Sequence, residues 1–210
     1  MRTLPRDRDV PIGYVALGDS TVAGVGATRP EKNYVGRIFA RLKDRYPAAI
    51  VHNLGVAGAT SADVTRQQLP KAVALRPTLV TLSVGPNDIT RGRDIAEYER
   101  NVDEILGTLA RETEAVVVVN TLPDMAVSPI FTAQEKQIVG ALARAFNDVL
   151  VGKAREYGAE VVELYAPSRD EVPADTGLFA ADNYHPSDAG YARWAEFMWR
   201  GVEARMEGSG

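Results

Sequence analysis

The sequence predicts an α/β protein, a three-layer α/β/α sandwich built on a five-stranded, mainly parallel central sheet. Three observations predict it. Short β-rich runs alternate with longer amphipathic stretches along the whole chain. The short runs are continuously apolar rather than alternating, as in strands covered on both faces. No repeat, low-complexity tract or linker-like change of composition interrupts the rhythm, and 210 residues suit one domain. The expectation is a single domain over 1–210, with 1–10 as an N-terminal extension and 207–210 as a flexible tail.

The strands are read in order as Tyr14–Leu17, Ile50–Leu54, Leu79–Val84, Val116–Val119 and Val161–Tyr165. The fourth is four valines in a row, and β-branched side chains favour the pleated backbone. Helical stripes fill the gaps. Tyr34, Val35, Ile38, Phe39 and Leu42 share one face; so do Ile95, Tyr98, Val102, Ile105 and Leu109. Ile138, Val139, Leu142, Phe146, Val149 and Leu150 form a third stripe. A last helix starts near Ser187 and carries Tyr191, Trp194 and Met198. Alternation of this kind predicts right-handed βαβ units. Such folds place their sites at the carboxyl ends of the strands.

Composition narrows the chemistry. There are 24 basic and 28 acidic residues, a net charge of −4, without the basic excess of a nucleic-acid binder. The chain has no cysteine, which excludes disulfides, zinc thiolates and cysteine nucleophiles, and two histidines, His52 and His185, too few for a His-rich metal cage. No apolar run approaches the roughly 20 residues of a spanning helix. The charged N-terminus lacks the apolar segment of a signal peptide, so the expected location is cytoplasmic; a trimmed secreted form would read the same. Nothing here signals an oligomeric state.

The segments after the strands carry the functional signal. Gly18-Asp19-Ser20 follows the first strand, Gly58 lies in the loop after the second, and Gly85-Pro86-Asn87-Asp88 follows the third. Asp182-Asn183-Tyr184-His185 stands just before the last helix. Each block alone has an ordinary reading: an N-cap serine, a turn glycine, a turn or cap asparagine, a capping aspartate. All four in this order resemble the SGNH hydrolases, also called the GDSL esterase/lipase family, whose four blocks contribute Ser, Gly, Asn and His. The resemblance spans residues 18 to 185 and implies the flavodoxin-like form of the sandwich. Two features stand out. Thr21 follows Ser20 where the family name implies Leu, which bears on substrate fit, and Pro86 stiffens the turn presenting Asn87.

The expected chemistry follows. Ser20 is a weak nucleophile that needs a base, and His185 is the one histidine suitably placed. Asp182 should accept from its Nδ1–H and hold the tautomer that receives the serine proton. The resemblance implies an oxyanion hole from the Ser20 N–H, the Gly58 N–H and the Asn87 side-chain amide. Asp19 and Asp88 should brace their loops. The function read is a serine ester hydrolase for short- to medium-chain acyl or aryl esters, with a small-molecule ester as partner, no cofactor and no metal. An acyltransferase or carbohydrate deacetylase on the same site are the alternatives. A metallophosphoesterase would need more histidines, and a non-catalytic binding module would not need the full set of four.

Other features read as structural. His52 falls in a strand as a core or edge histidine. Gly24-x-Gly26 lacks the third glycine of a dinucleotide loop. Trp194 and Trp199 read as packing or surface residues of the last helix. Two segments should wall the site: 122–131 after the fourth strand and 166–183, a long connection, after the fifth. Met125, Val127, Ile130, Leu178 and Phe179 would make those walls apolar.

Overall fold

The computed structural model describes residues 2–206; the tail expected at 207–210 lies outside the described residues. Five strands, β1 (Gly13–Gly18), β2 (Ile50–Asn53), β3 (Leu79–Ser83), β4 (Val116–Asn120) and β5 (Glu160–Val162), form one sheet in the order β2-β1-β3-β4-β5. Every neighbouring pair is parallel, with Val15 opposite His52 on one side and Val80 on the other. The helices are α1 (Ser20–Ala23), α2 (Tyr34–Arg45), α3 (Ser61–Asp63), α4 (Leu69–Ala74), α5 (Pro86–Thr90), α6 (Ile95–Glu112), α7 (Ala133–Glu156), α8 (Tyr165–Ala174) and α9 (Asp188–Glu203).

The central strands β1, β3 and β4 are buried on both faces, whereas the edge strand β2, expected to be covered likewise, has no buried residue and leaves Ile50 exposed. Tyr14, Ala16, Leu79, Val116 and Val118 pack with Ile38, Leu42 and Met198 of α2 and α9. Val15, Leu17, Val80, Leu82 and Val119 pack with Tyr98, Val102, Ile105, Phe146 and Leu150 of α6 and α7. Each fully buried Leu, Ile, Val or Phe side chain adds about 1.5–3 kcal/mol. The core therefore holds the strand ends, and the loops on them, in fixed register. Strand order reverses between β1 and β3, which opens a crevice at their carboxyl ends. Ser20 follows one of these strands and Asn87 the other.

One expected boundary changes, and two segments that the sequence left without an assigned structure gain one. The fifth strand was expected to run to Tyr165 but ends at Val162. The Glu163 carboxylate accepts from the Tyr165 and Ala166 N–H groups, and Thr121 Oγ1 accepts from those of Leu164 and Tyr165, so the chain turns out of the sheet. The 166–183 connection is not structureless: it holds most of α8 and a 3₁₀ turn, Thr176–Leu178. The segment read as an N-terminal extension is docked. Leu4 is buried, its N–H bonds Arg205 O at 2.7 Å, and Pro5 O accepts from the Tyr46 hydroxyl. His52 lies half-buried on the edge strand β2.

Candidate active site

Ser20 opens α1 immediately after β1. The Asp19 side chain caps the turn, accepting from both the N–H and the hydroxyl of Thr21 at 2.9 Å. His185 arrives from the other end of the chain, on a tight loop before α9. Asp182 Oδ1 accepts from the N–H groups of Tyr184 and His185, and Asn183 takes a left-handed φ of 56° between them. Asparagine tolerates that region better than most residues. Pro186 then pairs with Phe179, and Ser187 caps α9.

The two loops are fitted together. Gly26 has φ 91°, and a Cβ there would stand 2.4 Å from Pro186 O and 3.2 Å from the His185 Cβ. Only glycine allows this approach, which gives Gly24-x-Gly26 a packing role. Thr28 donates through its N–H and its hydroxyl to the Asp188 carboxylate, and the Tyr191 hydroxyl donates to Val25 O at 2.7 Å.

The result is a chain of hydrogen bonds. His185 Nδ1 lies 2.6 Å from Asp182 Oδ2, and His185 Nε2 lies 3.0 Å from Ser20 Oγ. Partial burial pushes the Asp182 carboxyl up, but bonds from the His185 ring and from the two N–H groups outweigh it and hold it below the ordinary range. An ionised carboxylate only accepts, so Nδ1 carries the hydrogen of a neutral ring. Nε2 is then the acceptor for the Ser20 hydroxyl. The Tyr184 ring stands edge-on to the imidazole at 5.1 Å and fixes its plane from one side.

The middle blocks converge beside Ser20. Asn87 Nδ2 donates to Ala59 O at 3.0 Å, which uses one of its two hydrogens and ties the third block to the second. Asp88 accepts from the Ser61 N–H at 2.9 Å and the Ser61 hydroxyl at 2.6 Å, and Asn101 Nδ2 donates to the same hydroxyl. Burial pushes the Asp88 carboxyl up against those bonds. Among the described residues, the N–H groups of Ser20 and Gly58 have no hydrogen-bond acceptor. Asn87 lines the crevice; Gly58 stands one residue from the Ala59–Asn87 bond and does not line it.

The profile of the GDSL-like lipase/acylhydrolase family matches residues 16–193. The chain belongs to that family. Over 201 residues it is 30% identical to a GDSL-like esterase of Mycobacterium tuberculosis, with 91% of this chain covered. The chain spans 62% of that relative's length. It is 25% identical to the esterase TesA of Pseudomonas aeruginosa over 186 residues, 88% of this chain and 85% of that one. Among solved structures, an acetyl xylan esterase from Geobacillus stearothermophilus shares the fold, with a TM-score of 0.73, 22% identity and coverage of 91% and 94% of the two chains.

In this GDSL-family chain, Ser20 and His185 open into a cavity of about 130 Å³. Leu122, Met125 and Val127 wall one side, and Val172, Leu178 and Phe179 another. Ile130, expected in the wall, is instead half exposed and is not part of the lining. Trp194, expected as a packing or surface residue, stacks on Tyr34 at 5.8 Å and also lines the cavity. Trp199 lies under the Arg41 guanidinium. Helix α8 closes the outer side without burying a residue. It hangs on the Arg193–Glu171 ion pair, with two bonds of 2.7 Å, and on Ser168 Oγ, which accepts from the Asp124 N–H. Sequence reasoning missed Ser61, Asn101, Glu171 and Arg193; each is an ordinary polar residue until its partner is known.

Among the described residues, no helix is long and apolar enough to cross a membrane, and no three His, Asp or Glu side chains are grouped to hold a metal ion.

Proposed function

We propose that the protein hydrolyses short- to medium-chain acyl or aryl carboxylic esters through an acyl-serine intermediate. The observation that carries this reading is the Asp182–His185–Ser20 chain of hydrogen bonds, ending on a hydroxyl that faces an apolar cavity. His185 Nε2 takes the Ser20 proton as Oγ attacks the ester carbonyl. The tetrahedral oxyanion is met by the Ser20 N–H and the second Asn87 amide hydrogen; the Gly58 N–H, the third donor that the family resemblance implies, stands outside the cavity lining. Protonated His185 returns the proton to the leaving alcohol, leaving Ser20 acylated. Water then attacks the acyl carbon with His185 again as base, the acyl C–Oγ bond breaks to release the carboxylic acid, and His185 returns the proton to Ser20 Oγ. The imidazolium formed at each step sits against the Asp182 carboxylate. The cavity is small beside the roughly 300–1,000 Å³ of pockets for drug-sized ligands, which favours short acyl groups.

The test is a p-nitrophenyl ester series from acetate to dodecanoate with wild type, Ser20→Ala and His185→Ala. Activity should peak at the short end and fall at least about 1,000-fold in both variants. Near-wild-type turnover in either variant refutes the mechanism, and a maximum at dodecanoate refutes the chain-length reading.

A further inference from the structure

We infer that Gln68 is a positioning residue for Ser20, a reading that rests on Ser20 being the nucleophile. The sheet leaves a gap at this point. Past the Ala16–Asn53 pair, β2 departs from β1, while β3 continues alongside as far as the Gly18–Ser83 pair. Gly18 turns its N–H and C=O toward the departed strand. The Gln68 amide takes its place: Oε1 accepts from the Gly18 N–H at 2.8 Å, and Nε2 donates to Gly18 O at 2.8 Å. Gly18 O also accepts from the Val56 N–H, and on the other side Asp19 N–H donates to Ser83 O. The peptide units leading into Ser20 are therefore gripped from both edges.

The site admits little else. Gln68 is 2% exposed. Gly18 has φ 142°, and a Cβ on it would stand 1.9 Å from Ser83 O. The helical stretch that delivers Gln68 is irregular at this place: between α3 and α4, Val64–Gln68 forms a π turn. A π turn holds one residue more than an α turn, which changes the residues facing inward, and such turns often mark functional sites. Here Val64 and Gln68 are both buried, one in the apolar core and the other on Gly18. The amide fixes the backbone two residues ahead of Ser20, and with it the aim of the Ser20 N–H and Oγ.

The experiment compares wild type with Gln68→Met and Gln68→Leu, which keep an apolar side chain of similar reach and remove both bonds. Fluorophosphonate labelling of wild type, mapped by mass, must fall on Ser20; failure there refutes the proposed function and the role of Gln68 with it, whereas a labelled Ser20 leaves the variants to test Gln68 alone. Each protein is then titrated to completion with the probe, and turnover of p-nitrophenyl butyrate is expressed per titrated site. The expected result is a kcat lower by about 100-fold with KM little changed, the signature of a misaimed nucleophile. A merely structural role would lower the melting temperature and leave kcat per titrated site unchanged, and that result overturns the inference. Should neither variant fold, hydrogen exchange of the Gln68 side-chain amide in the wild-type protein decides. Protection like that of core backbone amides supports the clamp; exchange at the rate of an open side chain overturns it.

Discussion

Replacing Asp182 with asparagine separates the two things that its carboxylate does. Oδ1 shapes the loop by accepting from the Tyr184 and His185 N–H groups at 3.0 and 2.9 Å, and an asparagine oxygen can do the same. Oδ2 accepts from His185 Nδ1 at 2.6 Å, and there the substitution presents an NH₂ group, which can only donate. The ring must then carry its hydrogen on Nε2, facing Ser20 Oγ with a donor where the base is needed. The loop should stand while the proton acceptor disappears. Loss of the correct tautomer costs about 10,000-fold in kcat in serine hydrolases of this logic, or about 5.5 kcal/mol of barrier. The assay is kcat on p-nitrophenyl acetate at pH 7–8, with thermal denaturation in parallel to show that the fold is kept. Turnover of Asp182→Asn within tenfold of wild type, with the loop intact, would refute the assignment of Asp182 as the group that sets the tautomer.

Three further outcomes are expected. Burial pushes the Asp19 carboxyl up to about 6, against its bonds from Thr21, while the unfolded chain ionises near its ordinary 3.8. Between these values the folded state holds the extra proton, so stability falls as pH rises, by about 3 kcal/mol in total. Urea denaturation from pH 4 to 7 should show Asp19→Asn losing that slope; parallel curves for the two proteins would contradict it. Gly26→Ala places a Cβ against Pro186 O and should push the His185 loop outward, lowering kcat by about 100-fold, measured on the short ester. Glu171→Gln weakens the tether of α8 through a pair whose side chains are more than a third exposed, so its effect on stability should stay below about 1 kcal/mol. The kcat/KM ratio of octanoate to acetate ester should nonetheless rise as the outer wall yields; an unchanged ratio would show that α8 does not limit chain length.

The legible part of the fold was the part whose signal is local. Four valines at 116–119 and the stripe over 95–109 declare a strand and a helix without reference to anything else. Ser20 and His185 were legible because their blocks stand at recognisable places in the βα rhythm, and the structure brings them to 3.0 Å. The end of β5 was not, because Glu163 and Thr121 turn the chain out by bonds to its backbone that no periodicity encodes. Helix α8 was missed for a related reason: it has no buried stripe, so the pattern that marks α6 is absent. Gln68 gave no signal, since a glutamine in a helical run reads as solvent-facing and the π turn that swings it inward breaks the 3.6-residue period.

The partners Ser20 and His185 are separated by 165 positions in the chain. During synthesis, the serine and the first three strands emerge long before the imidazole. Until β5 joins the sheet edge and α9 packs onto α2, the serine has no base. Under the proposed function, a single colour change on a p-nitrophenyl ester would report that the last elements of the chain have reached their place.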